Sequence, residues 1–208
     1  MSRTKKMSLF LVFTLIFGVI AYFHESRVGK WIDTEVYEFI YASESFITTA
    51  LMLGFTQVGE VLSMVILSLI MITILMLYKL KFHTLFLIVA MLASSILIPV
   101  TKNSFDRERP SLLRLIDITG FSFPSGHAMG STIFFGSLGI IVKNSGMRSK
   151  GLLYALCAFF ILMISSSRVY LGVHYPTDVI AGIVAGTMVV LVATMIFHKK
   201  LDTRRITG

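Results

Sequence analysis

Three short clusters hold most of the chemistry this chain could do: Lys102–Pro110 (KNSFDRERP), Pro124–His127 (PSGH) and Ser167–Asp178 (SRVYLGVHYPTD). They supply Lys102, Arg107, Arg109 and Arg168 as cations, His127 and His174 as histidines, and Asp178 as a carboxylate. A phosphoryl group in transfer spreads negative charge over its oxygens, and fixed cations stabilise that charge. Arginine offers a planar fork for two phosphate oxygens, whereas lysine offers a point charge. Ser125 and Gly126 precede an apolar run, where backbone N–H groups at a helix start form an anion site. A carboxylate on one nitrogen of an imidazole fixes its tautomer and leaves the other nitrogen free to attack, and a second histidine can protonate the departing oxygen. His174 and Asp178, four residues apart around Pro176, fit the first arrangement; His127 fits the second.

Each residue also has a plainer use. A lone Arg or Lys at a helix end snorkels to the interface. Ser125 suits an N-cap, and Asp178 suits a helix start. Asp106 and Glu108 flank Arg107 and could pair with it locally. What favours chemistry is co-occurrence. Two histidines and one aspartate could in principle hold zinc, but four neighbouring cations oppose a divalent ion, so a metal-free anion site is expected and no cofactor is called for. No nucleophile elbow of the serine-hydrolase type is present.

The elements that carry these residues are membrane-like. The chain has 208 residues, 55% hydrophobic and 14% charged, with a mean hydropathy of +0.83; soluble domains sit near a quarter charged. Apolar runs cover Met7–Phe23, Val61–Tyr78, Phe82–Val100, Ala128–Val142, Leu152–Ile164 with a Ser165–Ser167 extension, and Asp178–Phe197. Several approach the ~20 residues that cross a hydrocarbon core, and such segments must be helices. The expected fold is therefore all-α and integral to the membrane, with six transmembrane helices in one domain over 1–208. A further stretch, Phe46–Gln57, is too short and too interrupted to count as a span. Between the first two spans, Arg27–Tyr41 places Ile32, Val36, Phe39 and Ile40 on one helical face and Asp33, Thr34, Glu35 and Glu38 on the other, so amphipathic helices are expected in the first external loop. The turn Lys79–Lys81 should be tight.

Charge placement sets the expected topology. Alternating sides along six spans collects Arg3, Lys5, Lys6, Lys79, Lys81, Lys143, Arg148, Lys150, Lys199, Lys200, Arg204 and Arg205 on one side. Of the 11 acidic residues only Asp202 joins them. The positive-inside rule then puts both termini in the cytoplasm and the three clusters outside. The formal charge of +8 is read as topology plus contact with anionic lipids at the cytoplasmic face, and a nucleic-acid role is set aside. Ile20–Glu25 offers no small-residue cleavage site, so the first helix is expected to stay uncleaved. Cys157 stands alone and cannot form an internal disulfide.

The three clusters together resemble the type-2 phosphatidic acid phosphatase family, relatives of the vanadium haloperoxidases. The family pattern, Lys-x6-Arg-Pro, Pro-Ser-Gly-His and Ser-Arg-x5-His-x3-Asp, is met by Lys102, Arg109-Pro110, Pro124–His127, Ser167-Arg168, His174 and Asp178 in the same order. The resemblance implies that His174 is the nucleophile, passing through a phosphohistidine, and that Asp178 orients it. His127 would protonate the leaving group and then activate water. Lys102, Arg109, Arg168, Ser125 and Gly126 would hold the phosphoryl oxygens, with Arg107 fitting a Phe-x-Arg-x-Arg-Pro variant. It implies a metal-independent phosphatase of the bacterial six-span kind in the cell membrane, facing the extracytoplasmic side. Its substrate would be a lipid phosphate such as phosphatidylglycerophosphate, phosphatidic acid or undecaprenyl diphosphate. The competing classes are a lipid-phosphate binder or transporter that does not cleave, and a haloperoxidase. No protein partner is identifiable, and Gly182 and Gly186 could pack either a dimer or a neighbouring helix.

Overall fold

Hydrophobic runs with no alternation and no turn signals leave helices as the outcome, and helices are what form. The structure is a computed structural model describing residues 2–111, 114–143 and 150–201, and among these it contains nine helices and no strand. In chain order they are α1 (Arg3–Phe23), α2 (Arg27–Tyr41), α3 (Phe46–Val58), α4 (Val61–Leu77), α5 (Lys81–Phe105), α6 (Gly126–Lys143), α7 (Lys150–Tyr170), α8 (Pro176–Ile196) and the short α9 (His198–Leu201). All six expected apolar runs are helical. Arg148, Asp202, Arg204 and Arg205, used above for sidedness, lie outside the described residues.

Four of these helices, α1, α5, α7 and α8, are long and apolar enough to cross a membrane; α2 and α3, bent by 117° at a short break, would make a fifth if taken together. Two of the six expected spans are thus not reproduced by length and composition alone. At 17 residues α4 is short. The 18-residue α6 carries small and polar residues because protein rather than lipid surrounds it: Ala128, Gly130, Ser131, Thr132 and Ser137 are all buried, and it packs most extensively against α8 and α7, then α5.

The α6–α8 contact is the axis of the molecule, and it exists because α8 has glycines where α6 passes. A Cβ on Gly182 would lie 2.6 Å from the Ser125 carbonyl oxygen, and one on Gly186 would lie 2.7 Å from that of Met129. Both glycines therefore serve packing within the chain. At the α4–α5 connection Lys79 takes a left-handed φ of 55°, and its neighbour's amide closes a hydrogen bond from Leu80 N to Leu75 O, giving the tight turn expected.

The amphipathic helix α2 forms over the expected residues, with one reversal. Asp33, assigned to the polar face, is buried, while Phe39 on the apolar face is 83% exposed. The reason is electrostatic: Asp33 turns inward to meet a buried arginine, described below.

Candidate active site

The last cluster folds so as to bring its ends together. Just past the end of α7, Gly172 takes a φ of +69° that only glycine adopts cheaply. Gly172 N donates to Val169 O at 2.9 Å, while the amides of Val173 and His174 both donate to Arg168 O at 3.2 Å. That helix-ending motif reverses the chain and sets His174 beside Arg168. α8 then starts with Tyr175 as N-cap and Pro176 in its first turn, a position suited to proline. Asp178 reaches back to accept from Tyr175 N at 2.9 Å, so its helix-start use and its contact with His174 coexist.

His174 is 2% exposed and Asp178 is fully buried. Asp178 Oδ2 lies 3.4 Å from His174 Nδ1 and accepts from Ser122 Oγ at 2.5 Å; Ser122 Oγ is itself 3.3 Å from Nδ1. On the opposite edge, Arg109 Nη1 lies 3.1 Å from His174 Nε2. A guanidinium has only donors, so Nε2 must be the acceptor and the ring proton must sit on Nδ1, facing Asp178 and Ser122. Burial pushes the imidazole down to about 3 against the pull of Asp178, with Arg109 and Arg168 adding to the depression. The result is a neutral ring with its lone pair on Nε2, beside a cation.

Arg109 is held in that pose by carbonyls: Nε donates to Gly120 O at 2.8 Å, Nη2 to Thr119 O at 3.3 Å, and Nη1 to Val173 O at 2.9 Å. Lys102, in the last turn of α5, donates to Phe121 O at 3.1 Å and lies next to Gly126, where an added Cβ would be 3.6 Å from its Cε. Arg168 is buried; its Nη1 donates to Thr56 Oγ1, and its Nε is buried with no partner among the described residues. An uncompensated buried donor costs stability, and an anionic oxygen would satisfy it.

Two expectations need correction. Arg107 does not join the phosphate-directed cations. Its Nη1 donates to Asp178 Oδ1 at 2.5 Å and Thr177 Oγ1 at 2.8 Å, while Nη2 donates to Asp33 Oδ2 at 2.7 Å. Two buried carboxylates draw it behind the histidine, and the adjacent Asp106 and Glu108 are not its partners. Ser125 does not offer its amide to an anion either, because Ser125 N donates to Asp178 O at 3.0 Å. Its hydroxyl lies 3.5 Å from Ala128 N, a long helix-start contact. The Gly126 amide has no such competitor among the described residues.

His127, in the first turn of α6, meets Glu60: Nε2 lies 3.1 Å from Oε1. That hydrogen bond holds the Glu60 carboxyl below its ordinary value. The site residues thus gather at one end of the bundle, from the last turns of α5 and α7 and the first turns of α6 and α8.

The family model described as the PAP2 superfamily matches residues 83–202, more than half of the chain and all three clusters. This chain belongs to the PAP2 superfamily. It is similar to phosphatidylglycerophosphatase B of Bacillus subtilis, 35% identical over 92 residues that are 43% of this chain and 45% of that protein. An undecaprenyl-diphosphatase of Sulfolobus acidocaldarius is 32% identical over 93 residues, 44% of this chain and 41% of the relative. The matched stretches thus span less than half of these curated relatives. Among solved structures, the transmembrane PAP2 type phosphatidylglycerolphosphate phosphatase from Bacillus subtilis superposes with a TM-score of 0.81 at 23% identity, covering 94% of this chain and 98% of that one. The chain accordingly has a PAP2 membrane fold, all-helical and multi-pass.

Within this PAP2 site, four contributors fall outside the clusters: Asp33, Thr56, Glu60 and Ser122. Ser122 stood two residues before Pro124 and was open to suspicion by proximity. Asp33, Thr56 and Glu60 come from before the PAP2 match, where no motif marks them. Their only sequence signal is polarity beside apolar runs.

Proposed function

We propose that this protein is a metal-independent lipid phosphate phosphatase working through a phosphohistidine. The observation that carries the reading is the line Asp178–His174–Arg109. It presents a neutral nitrogen with a fixed lone pair at the edge of a cationic cradle. In the first step Nε2 of His174 attacks phosphorus, and the P–O bond to the lipid breaks with its electron pair on the departing oxygen. That oxygen takes a proton from His127. Nδ1–H of His174, now part of an imidazolium, is held by Asp178 and Ser122. Lys102, Arg109, Arg168, the Ser125 hydroxyl and the Gly126 amide bind the three phosphoryl oxygens as charge shifts onto them. In the second step a water gives a proton to His127 and cleaves the P–N bond, releasing inorganic phosphate. Arg107 fixes Asp178 from behind.

Support for a lipid substrate comes from the membrane fold and from relatives named for phosphatidylglycerophosphate and undecaprenyl diphosphate. The candidates are those two lipids and phosphatidic acid. The proposal includes one phosphatase domain over 1–208, six spans, both termini cytoplasmic with anionic lipids against that face, and a site on the outer side of the cell membrane. The excess of Lys and Arg on alternate loops supports this sidedness.

Phosphate release from these three lipids, in detergent with a chelator present, tests the reading. Wild type should turn over and His174→Ala should not. Lipid phosphate bound but never cleaved would favour a binding or transport role, and turnover lost on adding chelator would point to a metal.

A further inference from the structure

His127 is shaped from one side by a corner of the chain that carries no motif. Between α3 and α4, Gly59 and Glu60 abut one edge of its ring. Glu60 Oε1 is 3.1 Å from Nε2, and a Cβ on Gly59 would be 2.8 Å from Cδ2, the atom bonded to Nε2, and 2.6 Å from Ile164 Cγ2. Any side chain other than glycine's hydrogen would push the ring away or displace α7. The opposite edge, bearing Nδ1, has no protein hydrogen-bond partner among the described residues. Glu60 is also the N-cap residue of α4, a position where a carboxylate ordinarily accepts from amides deeper in the first turn; here no side-chain cap bond forms, and the carboxylate meets only the adjacent Val61 amide of the helix. Its oxygen is committed to His127 instead, across 67 residues of sequence. The same corner supplies Thr56 to Arg168, so α3 and α4 close on the site twice.

We infer that Glu60 is the positioning residue for His127, holding the Nε2–H edge so that Nδ1 is the atom that exchanges a proton with the substrate oxygen. The inference rests on the phosphatase reading above and assigns an atom and a partner within it. With the anionic phosphate bound against the neighbouring cations, His127 enters the first step as an imidazolium with Nε2–H on Glu60 and Nδ1–H toward the leaving oxygen. As the P–O bond breaks, the Nδ1 proton moves to that oxygen and His127 becomes neutral, keeping Nε2–H. In the second step water returns a proton to Nδ1 as its oxygen bonds to phosphorus. The carboxylate does not change protonation; it stabilises the imidazolium and fixes the ring's facing, as a buried aspartate does for the base of a hydrolase triad.

Leaving-group sensitivity separates this role from a structural one. A nitrophenolate departs without a proton, whereas an alkoxide does not, so only the alkyl substrate needs the acid. kcat/KM is measured for dioctanoyl phosphatidic acid and for 4-nitrophenyl phosphate with wild type, Glu60→Gln, Glu60→Ala and His127→Gln. Positioned proton transfer is worth ~10²–10⁴-fold, so Glu60→Ala should lose on the order of 10- to 100-fold of that on the alkyl substrate alone. The aryl substrate should change by less than about 3-fold, since it draws little on the acid. Glu60→Gln, keeping an acceptor but no charge, should fall between, and His127→Gln should show the same selectivity more strongly. The ratio of the two rates is unaffected by an inactive fraction of protein. An alkyl-to-aryl ratio unchanged in Glu60→Ala overturns the inference while leaving the phosphatase reading intact. Wild type inert on both substrates, or His174→Ala active, overturns both.

Discussion

The two histidines of the site are each paired with a carboxylate, and the two pairs are built in opposite ways. Asp178 sits one helical turn from His174, is fully buried, and is hydrogen-bonded by Ser122, Tyr175 and Arg107 besides the imidazole. Glu60 sits far away in sequence, its side chain is 42% exposed, and among the described residues its one side-chain hydrogen-bond partner is His127. One pair is sealed and over-determined; the other is open on one side. A nucleophile must present one lone pair in one direction, which rewards a saturated network of charge-assisted bonds. An acid that meets a departing lipid, and then a water, must face an accessible side. Under the mechanism proposed above, the difference in burial matches the difference in task.

Asp178→Asn attacks the sealed pair, and loss of an equivalent carboxylate drops kcat by about 10⁴-fold elsewhere. Here kcat on phosphatidic acid should fall by ~10²–10⁴-fold, on alkyl and aryl substrates alike. A loss confined to the alkyl substrate would make the two pairs equivalent and break the comparison. Asp33→Asn acts one layer further out. It leaves Arg107 with Asp178 but without its second carboxylate, and removing a partner from a buried ion pair costs about 3–5 kcal/mol. The remaining bond to Asp178 puts the expectation at the low end, about 3 kcal/mol, read as a lower thermal unfolding midpoint in detergent. An unchanged midpoint would detach α2 from the support of the sealed pair.

Gly186→Ala tests the packing that brings both pairs to one end. With Met129 O only 2.7 Å from the new Cβ, overpacking should cost about 1–3 kcal/mol, whereas Gly18→Ala, inside α1 with nothing within 4 Å of its Cβ, should leave the midpoint unlowered or slightly raised, because alanine is the better helix former. The smallest effect is a pH slope. The folded imidazole of His174 resists protonation down to about 3 against an ordinary value of 6.5. Below about pH 6.5 the unfolded chain takes up a proton that the folded chain refuses, so stability falls as pH drops through that window. His174→Gln should flatten this part of the midpoint-versus-pH curve. An equally steep curve would place the titration elsewhere.

The chain's regularities divide along the same line as its two pairs. Apolar runs made the helices readable, and three clusters at their ends singled out Lys102, Arg109, His127, Arg168, His174 and Asp178 as candidates, which come together at one end of the bundle because the local motifs that position them are encoded nearby. Gly172 ends α7, and Pro176 starts α8. Asp33, Thr56 and Glu60 were not legible, since each acts through a contact more than 60 residues away and has a bland local appearance. Arg107 was read as a phosphate ligand from its place in the first cluster and the Phe-x-Arg-x-Arg-Pro variant, because the two carboxylates that hold it lie more than 70 residues away in sequence. A helical-face pattern could not reveal Asp33 either: an inward aspartate looks like an outward one until its arginine is found. α4 and α6 read as spans by hydrophobicity, yet α6 owes its small and polar residues to the protein around it.

The central claim is that Nε2 of His174 bonds to phosphorus. Rapid mixing of wild type with [³²P]phosphatidic acid, followed by an alkaline detergent quench and peptide mapping, reads that bond directly. The account predicts label on the peptide containing His174, stable in base and lost in acid, absent from His174→Ala. Turnover by wild type with no base-stable label on that peptide at any quench time, or labelled protein from His174→Ala, would contradict it.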